Sequence, residues 1–403
     1  MGVQIGHIFD SAMKNSLFKD KSVLQTNYTP DSIPHRDKQI EQVASILAPI
    51  LRGERASNLF VYGKTGTGKT LSVQYVRDEL LKRAKEVDIN VRIEYLNCKL
   101  KKVADTEYRI LAALIDLLGG KVADTGLPTP AVYQKFIEMV DNKKQTLVII
   151  FDEIDQAIKK IDDNFLYNLT RLNSELSQAQ ISLIGISNDV TFLENIDPRV
   201  RSSLGEEEIV FPPYNAVQLK DILNERCSRA FKEGTFDEAV ISKCSAFAAR
   251  EHGDARRALD LLRIAGELAE REGKLRITEE YIDQANSKIE RDKILDIVET
   301  EPTQFQAVLY SILKLNKQED GIEKNYFTGD IFNLYQEICN KIKIEILTQR
   351  RVSDIIGEID MLGLINAKVI SKGRHGRTRE VKLSIPSNLL EKVEGILIES
   401  LGL

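Results

Sequence analysis

Residues 63–70 read GKTGTGKT, three glycines followed by a lysine and a threonine. Glycines at Gly63, Gly66 and Gly68 let the backbone approach an anion closely, with successive amide N–H groups aimed at it from a helix N-terminus. Thr67 lies within the same loop, Lys69 can reach the β- and γ-phosphates, and the Thr70 hydroxyl suits Mg²⁺. The chemistry implied is the binding of ATP with Mg²⁺. Further along, LVIIFDEID is an apolar run ending in carboxylates, in which Asp152 can hold Mg²⁺ and Glu153 can orient or deprotonate an attacking water. ISLIGISN ends in the amide of Asn188, at the edge of a buried strand where α/β folds place ligands. HGDARRALDLL opens a helix with Arg256 and Arg257 near its N-terminus, where a guanidinium could swing onto a γ-phosphate.

These groups need a sheet to hold them. Short β-rich runs, NLFVY, VRIEYLN, TLVIIF and ISLIGIS, alternate with helical stretches, which predicts a parallel sheet with helices on both faces. Ahead of it, Ile40, Val43, Ile46, Leu47, Ile50 and Leu51 fall on one helical face. From Ala216 the β pattern gives way to amphipathic helices, and ETEP at residues 299–302 reads as a boundary. The remainder reads as helices over 303–315, 328–342 and 349–362, then the strands LINAKVIS and REVKLSI around the turn KGRHGRT. Three helices and a β-hairpin describe a winged helix-turn-helix. The expected domains are an α/β nucleotide-binding core with an N-terminal arm over 1–215, an all-helical lid over 216–298 and a winged helix over 299–403.

In such a module the second helix of the helix-turn-helix enters the major groove of double-stranded DNA. Val352, Ile355, Ile356, Ile359 and Leu362 form its expected buried stripe, leaving Gln349, Arg350 and Ser353 outward to read bases and Arg351 to contact phosphate. The hairpin crowds Lys368, Lys372, Arg374, His375, Arg377, Arg379 and Lys382 together against a lone Glu380. Gly373 and Gly376 keep its tip slim enough to enter a minor groove. The formal charge of -5 over 403 residues makes these local clusters, rather than the whole, the argument for nucleic acid.

Four scattered cysteines, Cys98, Cys227, Cys244 and Cys339, show no zinc or disulfide spacing. With no apolar run long enough to cross a bilayer and no secretory pattern at the first residues, a cytoplasmic, nucleoid-associated protein is expected.

The motifs stand in the order and spacing of a known family. The chain resembles AAA+ ATPases, and within them the archaeal origin-recognition and cell-division-control type DNA replication initiators, through YTPDSIPHRDKQI, FDEID, SND, DPRVRSSLGEEEIVFPPYN, GDARRALDLL and the terminal winged helix. The resemblance implies that Asp152 and Glu153 are the Walker B pair, Asn188 sensor 1 and Arg256 sensor 2. It implies that Ile33, His35 and Arg36 line an adenine pocket, with Tyr214 at the hinge before the lid and Arg226 completing the nucleotide contacts. It also implies origin DNA, the MCM replicative helicase and a paralogous initiator as partners. The segment LLGGKVADTGLPTPAVYQKF resembles the family's initiator-specific insertion. One departure is visible: RVRSSLG carries Ser203 where eukaryotic relatives place an arginine finger, with Arg201 two residues earlier. A remodelling or clamp-loader-type motor and an ATP-sensing transcription regulator remain alternatives. Replacing Arg374 and Arg377 together should weaken DNA binding and flatten its salt dependence. A footprint that survives intact contradicts the wing assignment.

Overall fold

An apolar run without alternation is what a strand covered on both faces requires. The computed structural model, which describes residues 16–26, 28–99, 105–123, 126–162, 164–204, 206–317, 326–371 and 377–403, places such a strand at the centre of the first of two units. The units are Met1–Ile282 and Asp283–Leu403. In the first, β1 (Asn58–Tyr62), β2 (Val91–Asn97), β3 (Thr146–Asp152), β4 (Gln180–Ser187) and β5 (Glu206–Val210) form a parallel sheet in the order β2-β3-β4-β1-β5. β3 is buried along its whole length. Its residues alternate between two cores: Leu147, Ile149 and Phe151 pack with the helices on one face, Val148 and Ile150 with those on the other. Val43, Leu47 and Ile50 of the expected N-terminal stripe lie in the second core, with Ile40, Ile46 and Leu51 packed against it.

The four expected strands are present, and β5 is a fifth. Three consecutive glutamates hide it, and they are tolerated because β5 is an edge strand paired on one side only, to β1. Within the insertion-like segment, the helix Glu107–Leu117 ends and the helix Thr129–Val140 begins after Pro128. Asp124 and Thr125 lie outside the described residues.

Three helices follow, Ala216–Ala230, Glu238–Arg250 and Ala255–Arg271. The first starts with a capping box between Asn215 and Gln218, and the third is capped by Asp254, which accepts from the amides of Arg256 and Arg257. The arm is fastened to this lid rather than to the sheet. The Phe18 ring stacks on Phe231 at 4.7 Å, Lys21 pairs with Glu267 and Arg229 pairs with Asp31. A Cβ added at Gly266 would stand 2.6 Å from Phe18, so this glycine admits the ring.

The second unit is built from the helices Thr303–Lys317, Thr328–Ile342 and Gln349–Met361 and an antiparallel sheet ordered β6-β8-β7, with β6 Tyr326–Phe327, β7 Ile365–Ser371 and β8 Arg377–Leu383. The elements expected from the sequence end at the hairpin. The chain continues into a last helix, Leu390–Leu401, whose Val393, Leu397 and Leu401 complete the core. Among the described residues no helix is long and apolar enough to cross a membrane. All four cysteines are buried as free thiols.

Candidate functional site

A cleft of about 300 Å³ opens at the carboxyl ends of β1, β3 and β4. The sheet order separates β1 from β2 by two strands, which creates the crevice in which open α/β sheets bind ligands. From β1 the chain enters a loop whose Gly63, Gly66 and Gly68 have φ of 154°, 72° and 87°, and the helix Lys69–Glu86 begins at its end. Gly66 and Gly68 are required twice over. Their backbone is left-handed, and a Cβ at Gly66 would lie 1.7 Å from Asp254 Oδ1 while one at Gly68 would lie 2.9 Å from the Tyr214 hydroxyl. Gly66 O also accepts a hydrogen bond from Ala255 N at 3.2 Å, joining the loop to the lid.

Lys69 is buried, and its ammonium donates to Gly63 O at 2.7 Å, Lys64 O at 2.8 Å and Asn188 Oδ1 at 2.8 Å. Burial lowers its pKa to about 8, opposed by the Asp152 carboxylate and assisted by the charge of Arg256. Asp152, at the end of β3, is held at both oxygens. Oδ2 accepts from Thr70 Oγ1 at 2.9 Å and from the Tyr95 hydroxyl at 2.6 Å, and Oδ1 accepts from Glu153 N at 3.0 Å. Glu153 turns the chain from β3 into the helix Ile154–Ile161 with a φ of 55°, uncommon for a residue with a side chain. Its Oε2 lies 3.6 Å from Lys99 Nζ.

The other wall combines the arm and the lid. Tyr28 and Ile33 of the arm line the cleft with Tyr214, Arg226 and Arg256. The Arg226 guanidinium lies 4.6 Å over the Tyr28 ring, and its Nη1 is buried without a hydrogen-bond partner among the described residues, a donor that a ligand oxygen or ring nitrogen would satisfy. His35 and Arg36, expected beside Ile33, stand one layer back. His35 Nε2 contacts Asp221 Oδ2 at 3.0 Å, while Arg36, only 1% exposed, donates to Thr67 O at 2.8 Å and Pro212 O at 2.6 Å and stacks 3.8 Å over Tyr214. Arg36 therefore braces the loop against the hinge rather than facing the cleft.

In the second unit the helix Gln349–Met361 is capped by Thr348, which accepts from Arg351 N. Val352, Ile355, Ile356 and Ile359 are buried as expected. Leu362 is instead 38% exposed, because the helix ends at Met361 and Leu364 turns into the core in its place. Gln349 and Arg350 are exposed and Ser353 half-buried on the outer side, while Arg351 pairs with Glu358 at 3.3 Å along the helix. In the wing, Lys372, Arg374 and His375 lie outside the described residues; Arg377 opens β8. The Arg379 side chain reaches back to the helix.

Comparison with known proteins matches these parts in order. An "AAA domain" model covers residues 52–191, a "Cdc6 AAA+ ATPase-type lid domain" residues 220–287, and a "CDC6, C terminal winged helix domain" residues 296–393. The ORC1-type DNA replication protein of Pyrococcus furiosus is 49% identical over 97% of this chain and 93% of its own length. That of Thermococcus kodakarensis is 51% identical over 94% and 90%. This chain belongs to the ORC1-type DNA replication protein family. The solved structure of the Aeropyrum pernix ORC1 protein in complex with DNA is similar throughout, with a TM-score of 0.83 and 44% identity over 95% of this chain and 97% of that one.

For this family member, the cleft gathers Gly66, Thr67, Gly68, Lys69, Thr70, Asp152, Glu153 and Asn188 from the core with Ile33, Tyr214, Arg226 and Arg256. Sequence reasoning missed Tyr28, Tyr95 and Asp254. Tyr95 could have been found from register, since Asn97 pairs with Asp152 and places Tyr95 one step along the same face. Asp254 had a signal as a helix cap, but none for its approach to Gly66. The Lys69 pKa gives a signed prediction. Above about pH 8 the free protein has lost the proton, whereas a lysine against phosphate keeps it, so binding must take one up. Affinity for ATP should fall about tenfold between pH 7 and pH 9, with proton uptake measurable by titration calorimetry in buffers of different ionisation enthalpy.

Proposed function

We propose that this chain is an ATP-dependent DNA replication initiator that binds double-stranded origin DNA through its winged helix and uses its ATP or ADP state as a switch. The observation that carries this reading is the contact between loop and lid, Ala255 N on Gly66 O with Asp254 beside Gly66. A phosphate seated on the loop amides meets the lid at the N-terminus of the Arg256 helix, so the lid senses what the cleft holds.

The residues fit a magnesium nucleotide. The loop amides and Lys69 would hold the phosphates, Thr70 and Asp152 the Mg²⁺, and Tyr28, Ile33, Tyr214 and Arg226 the base and sugar end. When bound, Mg²⁺ neutralises charge on the terminal phosphates. Asn188 and Lys69 share a hydrogen bond that holds the lysine head at the end of β4, while Glu153 is placed to orient a water. Hydrolysis is slow in this reading, since Ser203 replaces the expected arginine and Arg201 pairs with Glu208 at 3.3 Å. The switch reading is favoured over a continuously turning motor for that reason.

Binding to duplex DNA is supported by the winged helix and by the likeness to the Aeropyrum pernix ORC1 protein, solved in complex with DNA. Recruitment of the MCM replicative helicase, partnership with a paralogous initiator and action in the cytoplasm on the nucleoid are proposed from family membership. Lys69→Ala should abolish ATP binding and leave a folded protein, with melting lowered modestly because Gly63 O, Lys64 O and Asn188 Oδ1 lose their shared donor. Unchanged ATP affinity would sink the cleft assignment. With the unaltered chain and ATP, footprints should fall at replication origins. Protection confined to promoters would point to transcriptional control instead.

A further inference from the structure

The helix Gln349–Met361 has a gap on its outer face. With Val352, Ile355, Ile356 and Ile359 buried, the opposite face carries Arg350, Asp354, Gly357 and Met361 at spacings of three and four. A glycine in a helix interior costs stability relative to alanine, so Gly357 needs a reason. It has one in the wing. A Cβ built at Gly357 would lie 2.7 Å from Arg379 Nη1, 3.4 Å from Nη2 and 3.5 Å from Cζ. The guanidinium therefore fills the space where a side chain would otherwise stand, with Nη1 nearest the helix.

β8 explains how it gets there. Arg379 shares a strand face with Val381, which is fully buried, so it points to the helix side of the sheet and not to the far side. Its backbone is fixed on both sides, by pairing with Val369 and by Arg379 N donating to Thr328 Oγ1 at 3.2 Å. The recognition helix is tied to β7 in turn, with Ala367 N donating to Asp360 Oδ1 at 2.9 Å. No carboxylate among the described residues lies within ion-pair distance of the Arg379 guanidinium. Arg351, by contrast, is paired with Glu358.

We propose that Gly357 is a seat for Arg379, by which the wing strand lends its arginine to the recognition face of the helix. Arg379 then acts beside Arg350 as a base-reading group, in line along one groove, and not as a wing residue reaching for a separate contact. Gly357 is a positioning residue, since it acts only through Arg379. The inference rests on the DNA-binding reading of the winged helix.

The test uses the full chain and a duplex selected by it from a random-sequence pool. Arg379→Ala should weaken binding to that duplex about tenfold, the loss of one bidentate base contact, and relax selection at one or two base pairs. Gly357→Ala displaces only the end of a flexible side chain, and alanine is the better helix former, so it should melt no lower than wild type while weakening binding by a similar factor. The double variant should be no weaker than either single one. Additive losses would mean that the new methyl merely obstructs DNA, and would overturn the proposal. So would a Gly357→Ala protein that binds as wild type while Arg379→Ala does not, because Arg379 would then act from the wing. Arg350→Ala separates the underlying reading: if it too leaves binding unchanged, this helix does not read DNA and both fall together. If it alone weakens binding, the DNA reading stands and the seat is wrong.

Discussion

The first unit depends on how closely the lid can approach the nucleotide loop. Two chain segments meet at Gly66, one entering the helix Lys69–Glu86 and the other the helix Ala255–Arg271, and they meet through a backbone hydrogen bond with a carboxylate packed against a glycine Cα. No residue with a Cβ fits there. The same approach brings the N-termini of two helices to one small volume, a concentration of partial positive charge that favours an anion between them. The arm, pinned to the lid by Phe18 and Asp31 before it runs past the cleft at Tyr28, adds a second connection between the same two layers.

Around that contact the polar groups are held in the arrangement that the proposed binding of a magnesium nucleotide would use. Asp152 cannot swing, because Thr70, Tyr95 and the backbone at Glu153 take both of its oxygens. Lys69 has little freedom either, and its buried ammonium satisfies itself on loop carbonyls and Asn188. Groups held in this way need little reorganisation when a charged ligand arrives, which is the condition for strong electrostatic binding in a partly dry cleft. Arg36 supports the arrangement from behind by tying Thr67 to Pro212 and Tyr214, the joint from which the lid departs.

Much of this was legible because it is written in local spacing. The loop 63–70, the carboxylates after an apolar strand and the amide of Asn188 each carry their meaning within a few residues, and the parallel sheet follows from the runs between them. What escaped depends on long-range approach or on compensation by neighbours. Three glutamates conceal β5 because an edge strand needs no apolar pattern on its open side. His35 and Arg36 sit beside Ile33 in sequence, yet the left-handed turn at His35, with a φ of 63°, sends them behind the loop while Ile33 faces the cleft. The last helix has a readable stripe in Val393, Leu397 and Leu401, and the hairpin before it masked the need for a further core layer.

In the proposed function, what the cleft holds governs what the winged helix does on DNA. The most direct measurement is the affinity of the full chain for an origin duplex, and the length of duplex it protects, with a non-hydrolysable ATP analogue and with ADP at one fixed salt concentration. The two nucleotide states are expected to differ in affinity or in protected length. The same affinity and the same footprint in both states would contradict the proposed switch.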